Sequence, residues 1–353
     1  MDAEQPTPYL RVDVDRLDAN IARGAAWASE RAVALRPHAK THKSNEIARR
    51  QLAAGAAGLT VATVAEAEAF AAGGVDDLFV AYPLGLDDDR ARRLRELAGR
   101  VRLAIGVDSV EGATSAARHL AGSGVEVVVE VDSGLHHSGC PPEQAAAVAD
   151  AAAPLGVRGV FTFPGHAYGP GNAAGAAREE AQALGVARDA VQAAGHDVSV
   201  VSGGCTPSFE SSDTGVLTEL RPGVYVHGDA QQVELGHCAL DDVALTAVGT
   251  VVHRRDGVVV LDAGAKVMGP DRPAWVSGHG RVLSEPAARI TGLREHHAVV
   301  AWPDDGSLPA LGSRLQLVPN HVCTAVNLSA AMTVVSGGEV VDRWPVDARG
   351  ANT

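Results

Sequence analysis

The sequence predicts an α/β protein with a (β/α)8 barrel over residues 15–240 and an all-β domain over residues 241–353. In the first region, short runs rich in Val and Leu alternate with Ala-rich helical stretches. In the second, strand-like runs follow one another with only turns between them. Strands joined by helical crossovers pair in parallel, and eight such units favour a barrel. A doubly wound open sheet is the alternative, but a GxGxxG turn after its first strand is missing here.

Apolar periodicity predicts the elements of the barrel. Residues 8–14 alternate like an exposed or edge strand, and a helix runs from Asp15 to about Glu30. The eight barrel strands are predicted at 32–36, 59–62, 78–82, 101–107, 125–131, 157–163, 198–202 and 223–226. The helices are predicted at 44–54, 64–73, 87–98, 109–121, 141–153 and 173–194, with a short one after residue 206.

Six further strand-like runs predict the all-β domain. They lie at 245–252, 257–261, 297–302, 314–318, 332–335 and 340–344. Turns rich in Gly and Asp, such as 255–257, separate these runs. We expect the strand at 8–14 to pair with this domain.

Composition excludes several classes of function. The 353-residue chain has a formal net charge of −13, which argues against a nucleic-acid or anionic membrane surface. No apolar run reaches the ~18 residues that a membrane span needs, and the N-terminus lacks the pattern of a signal peptide. The four cysteines show no CxxC pair and no spacing typical of disulfides. We therefore expect a reduced, cytoplasmic protein.

Lys40 is the leading candidate for a catalytic group. Lysines occur only at positions 40, 43 and 266, among 30 basic residues. Lys40 follows the first predicted barrel strand, on a loop that opens into a helix. An uncharged lysine amine can attack a carbonyl group and form an imine, which arginine cannot do. The alternative interpretation is a solvated basic turn.

Polar and glycine-rich stretches follow five of the predicted barrel strands. Because the active site of such a barrel lies at the carboxyl ends of its strands, these stretches predict a shared cavity. The five stretches are 37–40, 131–139, 164–169, 202–208 and 225–229.

The stretch Ser202, Gly203, Gly204 and Thr206 suits a phosphate group. Two glycines let backbone N–H groups approach an anion, and the flanking hydroxyls add donors. A plain tight turn is the alternative. An imine-forming lysine together with a phosphate site in a barrel suggests pyridoxal 5′-phosphate as cofactor.

His321 and Cys323 form a second candidate site. On an extended segment, residues two apart project to the same side, and an imidazole beside a thiolate suits zinc. Two protein ligands leave positions open for water or substrate, as a catalytic metal requires. The alternative is a packed cysteine beside an exposed histidine.

Taken together, these motifs resemble those of the fold-type III pyridoxal-phosphate enzymes that comprise D-serine dehydratase and D-threonine aldolase, distant relatives of alanine racemase. The stretch 36–43 resembles the family's cofactor-lysine motif, which implies that Lys40 carries the cofactor. Residues 202–204 with Thr206 resemble its phosphate loop, and residues 319–323 resemble its metal motif. The similarity covers nearly the whole chain.

Further cofactor contacts are implied by the resemblance alone. The segments that contain His166, Tyr168 and Tyr225 resemble cofactor-facing segments of the family. The loop after the fifth strand departs from the family, because His137 replaces an arginine that contacts the cofactor's phenolic oxygen. Histidine is shorter and only sometimes charged, so we expect this contact to differ. The family's dimeric active site implies a homodimer.

The resemblance implies a lyase that uses pyridoxal phosphate and a metal ion on small β-hydroxy D-amino acids. A His-x-Cys pair resembles the dehydratase branch, which implies conversion of D-serine-like substrates to a 2-oxo acid and ammonia. The aldolase branch instead has His-x-Asp and releases glycine and an aldehyde. A thiolate favours Zn²⁺, whereas a carboxylate suits Mn²⁺ or Mg²⁺.

Three other functions are considered: a D-threonine aldolase, a non-catalytic pyridoxal-phosphate-binding protein and a racemase. A carrier of this kind has neither the β domain nor the metal pair. A racemase needs a second acid–base residue, commonly a tyrosine from the β domain, and this chain has no tyrosine after residue 240.

Overall fold

The computed structural model describes residues 5–304 and 307–353. The chain divides into two compact units, which we describe separately. The barrel unit comprises Gly24–Lys40, Ile47–Gly223 and Ala351–Thr353. The β unit comprises the chain up to Arg23, Thr41–Glu46 and Val224–Gly350. The predicted boundary at residue 240 stays a prediction.

The chain begins with strand β1, Tyr9–Asp13, and helix α1, Val14–Glu30. Eight further strands follow, and they form the sheet of the barrel unit: β2 Ala34–Leu35, β3 Leu59–Val61, β4 Asp77–Pro83, β5 Arg102–Val107, β6 Glu126–Glu130, β7 Gly156–Phe161, β8 Val200–Gly203 and β9 Glu219–Leu220. The helices between these strands are α2 Asn45–Ala53, α3 Val64–Ala72, α4 Asp88–Ala98, α5 Val110–Leu120, α6 Ala145–Ala152 and α7 Ala173–Ala193.

All eight strands of this sheet are parallel. Their spatial order is β2-β9-β8-β7-β6-β5-β4-β3, and each neighbouring pair is joined by backbone hydrogen bonds. A parallel bridge between His38, just after β2, and Thr60 in β3 joins the two ends of this order. The predicted (β/α)8 barrel is confirmed.

The last barrel strand was predicted in the wrong place. The eighth strand is Glu219–Leu220, whereas Val224–Val226 within the predicted strand forms a 3-10 helix. The ladder ends with Arg221 donating its N–H to the Gly203 carbonyl. The next residue, Pro222, has no N–H to continue it.

Helix starts in the barrel unit follow from capping side chains. Thr63 precedes α3 and accepts a hydrogen bond from the N–H of Glu66. Asp87 precedes α4 and accepts from the N–H of Arg90. These caps satisfy backbone donors that have no partner inside the helix. Within the described ranges, we find no helix that has both the length and the apolar character to cross a membrane.

A buried arginine ties three segments of the barrel unit together. Arg36 is 3% exposed, and its Nε donates to Glu219 Oε2 at 2.7 Å. Its Nη1 donates to Asp77 Oδ1, also at 2.7 Å. Burial alone would lower the pKa of Arg36, but the charge of Glu219 and the hydrogen bond to Asp77 raise it above its usual value. The ion pairs link the segment after β2 to the starts of β4 and β9.

The β unit contains β1 and eight later strands: β10 Leu245–Arg255, β11 Val258–Leu261, β12 Gly280–Val282, β13 Glu285–Leu293, β14 Ala298–Ala301, β15 Arg314–Pro319, β16 Ala331–Ser336 and β17 Glu339–Pro345. Its order is β11-β14-β13-β12-β15-β10-β1-β16-β17, and β11 also pairs with β10. The pairing of β11 with both β14 and β10 closes a ring of six antiparallel strands. The predicted all-β fold is confirmed.

Several local predictions for this unit need correction. The first strand is not at an edge, because β1 pairs with β10 on one side and β16 on the other. Strands β12 and β13 were not predicted. Three short helices were also missed: α8 Ala230–Glu234, α9 Ala265–Met268 and α10 Val322–Leu328. Leu10 and Val12, two residues apart on one face of β1, are buried.

The Arg36 ion pairs give a stability prediction. Replacing Glu219 by Gln leaves a buried guanidinium with a single carboxylate partner, so we expect a loss of about 2 kcal/mol in the free energy of unfolding. Chemical denaturation measures this loss. The matched control is Glu96→Gln, which removes an exposed partner of Arg92 and is expected to cost less than about 0.5 kcal/mol. Equal losses in the two variants would contradict this account.

Candidate active site

Lys40 lines a cleft in the barrel unit. It belongs to the 3-10 helix Ala39–Thr41, and its Nζ lies 5.4 Å from the centre of the Phe163 ring. The cleft has a volume of about 260 Å³. Its lining residues are His38, Lys40, Ala62, Ala81, Tyr82, Glu130, Asp132, Leu135, His137, Ser138, Thr162, Phe163 and Arg221. Lys40 is half-buried at this cleft, and its assignment as the cofactor lysine stays a prediction.

The neighbouring lysine has a different environment. Lys43 belongs to the β unit, is buried, and donates its amine to Asn327 Oδ1 at 2.7 Å. Its backbone φ is 48°, in the left-handed region. A buried amine held by an amide oxygen is poorly placed to react with a cofactor, so the structure favours Lys40 over Lys43.

Arg221 provides a buried cation at the cleft. It is 5% exposed, and its Nη2 donates to the carbonyl of Thr162. Its guanidinium lies 5.1 Å from the ring centre of Phe161 and 5.7 Å from that of Phe79. These aromatic faces favour a cation. Arg221 Nε has no hydrogen-bond partner within residues 5–304 and 307–353, so it is a donor available to a bound anion or acceptor.

Glu130 provides a carboxyl group to the same cleft from the end of β6. Burial raises the pKa of Glu130 to about 7, although a hydrogen bond from Ser138 and the charge of Arg221 act in the opposite direction. Ser138 Oγ donates to Glu130 Oε1 at 3.0 Å. Glu130 Oε2 has no partner in the part of the chain that the structure describes. Together with Arg221, this oxygen gives the cleft polar atoms that a bound polar cofactor could satisfy, so the cleft fits pyridoxal phosphate.

The loop after β6 places His137 at the cleft. Asp132 organises this loop, because its Oδ1 accepts from the N–H groups of Gly134 and His136. Its Oδ2 lies 2.6 Å from His136 Nδ1. His136 is therefore turned toward Asp132, and the exposed His137 lines the cleft.

The predicted phosphate loop already satisfies part of its own hydrogen bonding. Ser202 Oγ donates to Glu219 Oε1 at 2.7 Å, and the N–H of Gly204 donates to Glu180 Oε1 at 2.6 Å. Gly204 has a φ of 74°, and a Cβ at Gly203 would clash with Glu180. Close packing therefore explains both glycines without a phosphate. The role of this loop, including the half-buried Thr206, stays a prediction.

Two further predicted contacts of the barrel unit lie on the 3-10 helix Gly165–Tyr168. His166 Nε2 lies 2.9 Å from Glu179 Oε2, and Tyr168 packs against the apolar cluster that contains Ala167 and Cys205. Of the described barrel residues that sequence reasoning selected, Lys40 and His137 line the cleft. The others that belong to this unit do not: His166, Tyr168, Ser202, Gly203, Gly204 and Thr206.

The remaining predicted residues belong to the β unit. Tyr225 is half-buried in the 3-10 helix Val224–Val226. His321 and Cys323 lie together, since the Cys323 side chain both hydrogen-bonds His321 and attracts it electrostatically. Cys323 is the largest cause that raises the pKa of His321 to about 11. Cys323 Sγ also lies 3.3 Å from Thr41 Oγ1.

The local structure at this pair differs from the prediction. An extended segment was expected, but α10 begins at Val322, directly after the extended His321. Asp229 Oδ2 accepts the N–H of Val322 at 3.2 Å, which satisfies a donor at the start of this helix. The imidazole of His321, just before α10, therefore lies next to the thiol of Cys323 in the first turn of this helix, and the two residues do not share a strand.

The donor set of this pair fits a metal ion with two protein ligands. His321 Nδ1 bonds a carboxylate of Asp271, which leaves Nε2 for a metal, and the adjacent thiol supplies a soft ligand. Among the described residues, no group of three or more His, Cys, Asp or Glu side chains is arranged to hold a metal ion. Any remaining coordination positions would belong to water or substrate.

Sequence analysis selected neither Glu130 nor Asp271. Arg221 and Asp229 lay within the selected segments 221–225 and 225–229, but neither was assigned a role of its own. Glu130 ends β6, so the strand-end rule could have selected it. Arg221 follows β9 but precedes the eighth strand as it was predicted at 223–226, so the rule could not have selected it. Asp271 lies in an irregular segment, and Asp229 precedes a short helix. The local sequence around these two residues does not predict that their side chains contact the segment near residue 321.

Two family models match the chain. The model described as "Alanine racemase, N-terminal domain" matches residues 12–231, and the one described as "Putative serine dehydratase domain" matches residues 244–335. Fold and match together define a pyridoxal-phosphate enzyme of the alanine racemase-like class. The chain belongs to the fold-type III family that includes D-threo-3-hydroxyaspartate dehydratase and D-threonine aldolase.

Individual relatives are similar over the whole chain. D-threo-3-hydroxyaspartate dehydratase of Delftia sp. (strain HT23) is 34% identical over 365 residues, covering 95% of each chain. D-threonine aldolase of Arthrobacter sp. is 32% identical over 361 residues, covering 99% of this chain and 94% of the aldolase. The solved structure of the Delftia dehydratase matches with a TM-score of 0.89 at 32% identity and covers 97% of both chains. A cysteine-to-alanine variant of D-threo-3-hydroxyaspartate dehydratase is known in a metal-free form.

The raised pKa of Glu130 gives a pH prediction. Between the usual glutamate pKa of 4.5 and about 7, folded protein keeps the proton on Glu130 whereas the unfolded chain loses it. Wild-type stability therefore falls as the pH rises through this window. Gln at this position does not titrate, so the Glu130→Gln variant does not share this loss. As the pH rises from 4.5 to about 7, we expect its free energy of unfolding to increase relative to that of wild type by up to about 3 kcal/mol, at roughly 1.4 kcal/mol per pKa unit.

Urea denaturation of both proteins at several pH values between 4.5 and 7 measures this gain. The buried Glu180, whose pKa burial also raises to about 7, is present in both proteins, so its contribution cancels. A stability difference that does not change with pH would show that Glu130 titrates normally in the folded protein.

Proposed function

We propose that this protein is a pyridoxal-phosphate-dependent, metal-assisted lyase acting on β-hydroxy D-amino acids. Its proposed reaction is dehydration of D-serine-like substrates to a 2-oxo acid and ammonia. The observation that carries the proposal is the cleft in which the Lys40 side chain lies with Glu130, His137 and Arg221. Family membership supports the lyase class, because the relatives named above include a dehydratase and an aldolase for such substrates.

Lys40 is the proposed attachment point for the cofactor. When bound, pyridoxal phosphate would supply an electron sink for the negative charge that develops at the Cα of an amino acid joined to it. In our proposal the Lys40 amine holds the cofactor at rest, and the same amine, once released by substrate, takes the Cα proton. Arg221 and Glu130 bind polar atoms of the cofactor or substrate with their partnerless Nε and Oε2. His137 replaces the family arginine at the phenolic oxygen, and His166, Tyr168, Ser202–Gly204, Thr206 and Tyr225 complete the proposed cofactor contacts.

His321 and Cys323 are the proposed metal ligands. A zinc ion would supply Lewis acidity for the β-hydroxyl, which is otherwise a poor leaving group. The thiol favours zinc over Mn²⁺ or Mg²⁺, since soft ligands select the softer ion. A metal-free cysteine variant of D-threo-3-hydroxyaspartate dehydratase supports a metal in the family. The metal's identity is part of the proposal.

D-threonine aldolase activity is the second candidate, and a relative with this activity covers nearly the whole chain. Cys323 favours dehydration in our proposal, because the residue at this position resembles that of the dehydratase branch. A non-catalytic cofactor-binding protein is less consistent with the paired imidazole and thiol of the β unit. A homodimer in the cytoplasm completes the proposal.

A product assay separates the two reactions. Incubated with D-serine, D-threonine and D-threo-3-hydroxyaspartate, the holoenzyme is expected to release 2-oxo acid and ammonia in equal amounts. L-serine and the Lys40→Ala variant serve as controls and are expected to give no product. Glycine plus acetaldehyde from D-threonine, without ammonia, would reject the dehydratase in favour of the aldolase. No product from any substrate would support the non-catalytic alternative.

Metal removal tests the proposed role of His321 and Cys323. Chelator treatment is expected to abolish product formation while leaving the visible absorbance of the lysine-bound cofactor unchanged. Adding Zn²⁺ back should restore activity to wild type but not to His321→Ala. Full activity after the metal has been removed, verified by elemental analysis, would contradict a metal-assisted reaction.

A further inference from the structure

Asp271 contacts the proposed metal pair from a segment without regular secondary structure. Its Oδ2 lies 2.6 Å from His321 Nδ1. Thr324 Oγ1 donates to the same oxygen at 2.5 Å. One carboxylate oxygen thus joins the residue before α10 to a side chain in its first turn.

The backbone around Asp271 is also fixed to this region. Asn320, which is 2% exposed, donates its side-chain amide to the carbonyls of Asp271 and Gly278, both at 3.0 Å. The segment that carries Asp271 is therefore tied to the residue directly before His321. Asn320 is adjacent to His321 and also bonds the backbone of Asp271, so the carboxylate of Asp271 is held in place relative to the imidazole of His321.

A histidine that binds a metal ion is neutral, and in the neutral ring this contact selects one tautomer. A carboxylate that accepts the Nδ1–H of an imidazole leaves the Nε2 lone pair free for a metal and makes it more basic. Asp229 has a different task, because its Oδ2 accepts the N–H of Val322 at the start of α10. Asp271 is thus the carboxylate placed to orient the ring.

We propose that Asp271 is the positioning residue of the metal pair, which fixes His321 so that Nε2 binds the ion. This inference rests on the proposed metal site. It differs from a role for Asp271 as a ligand, because Asp271 occupies the far nitrogen of the ring. It also differs from a purely structural anchor, because it predicts weaker metal binding in a protein that still folds.

Zinc affinity of the full chain loaded with pyridoxal phosphate tests the inference. Asp271→Asn is nearly isosteric, and its neutral amide is a weaker acceptor for Nδ1–H. We expect this variant to bind Zn²⁺ about 10- to 100-fold more weakly than wild type, as in other second-sphere substitutions. Competition with a chromophoric zinc chelator measures the affinity. Thermal unfolding of the metal-free proteins is expected to change little.

Matched variants make each outcome decisive. Asp256→Asn, in the turn between β10 and β11, is the surface control and should keep wild-type affinity. Thr324→Val removes only the second hydrogen bond to Asp271 and should weaken zinc binding a few-fold; it replaces Asp271→Asn if that variant fails to fold. In Co²⁺-loaded Asp271→Asn protein, the sulfur-to-metal absorption band should persist at saturating metal, because Cys323 is intact.

Three results would overturn the inference, and they are distinguishable. If Asp271→Asn and Thr324→Val bind zinc like wild type while His321→Ala does not, Asp271 does not position the ligand. If wild type and His321→Ala bind zinc equally poorly, the proposed metal site itself fails, and the inference fails with it. A loss of affinity matched by an equal loss in Asp256→Asn would also reject a specific role.

Discussion

The barrel unit depends on eight strands that all run in the same direction. Parallel pairing brings the carboxyl end of every strand to one edge of the sheet. Lys40 follows β2, Glu130 ends β6, and Arg221 follows β9, yet all three line one cleft. These residues are far apart in the sequence, and only the common strand direction explains why their side chains meet. The parallel order of the strands, rather than a local sequence motif, brings the cleft residues together.

Two buried arginines of this unit, Arg36 and Arg221, differ in how their charge is compensated. Arg36 is paired with two carboxylates, Glu219 and Asp77, so its charge is compensated within the protein. Arg221 instead donates to one backbone carbonyl and lies beside the rings of Phe79 and Phe161. Burial lowers the pKa of Arg221, opposed by nearby carboxyl groups that include Glu219 and Glu180. A buried cation with a partnerless donor is costly to folding alone, and that cost is consistent with a binding role.

The sequence predicted the parts of the fold that depend on periodicity and on the order of elements. The alternation of Val-rich runs and Ala-rich helices located seven of the eight barrel strands. The eighth failed because Glu219–Leu220 is only two residues long, and a more apolar run follows it in a 3-10 helix. Lys40 could be selected from residue chemistry and its place after a strand.

Contacts between distant segments could not be predicted in the same way. Asp271 lies 50 residues before His321 in the sequence, and no local pattern signals that their side chains meet. The glycines at 203 and 204 suggested a phosphate loop, but packing against Glu180 and Leu220 also requires them. Glycines in a turn thus indicate that another group approaches the backbone closely. Whether that group is a ligand or a side chain of the protein depends on the tertiary structure.

The central claim is that the amine of Lys40, and no other, carries the cofactor. Sodium borohydride reduces a lysine–cofactor imine to a stable secondary amine, so peptide mapping after reduction locates the attachment site directly. After incubation with pyridoxal phosphate and reduction, the account predicts a phosphopyridoxyl group on Lys40 and none on Lys43 or Lys266. A label on either of the other lysines, or no label at all, would contradict it.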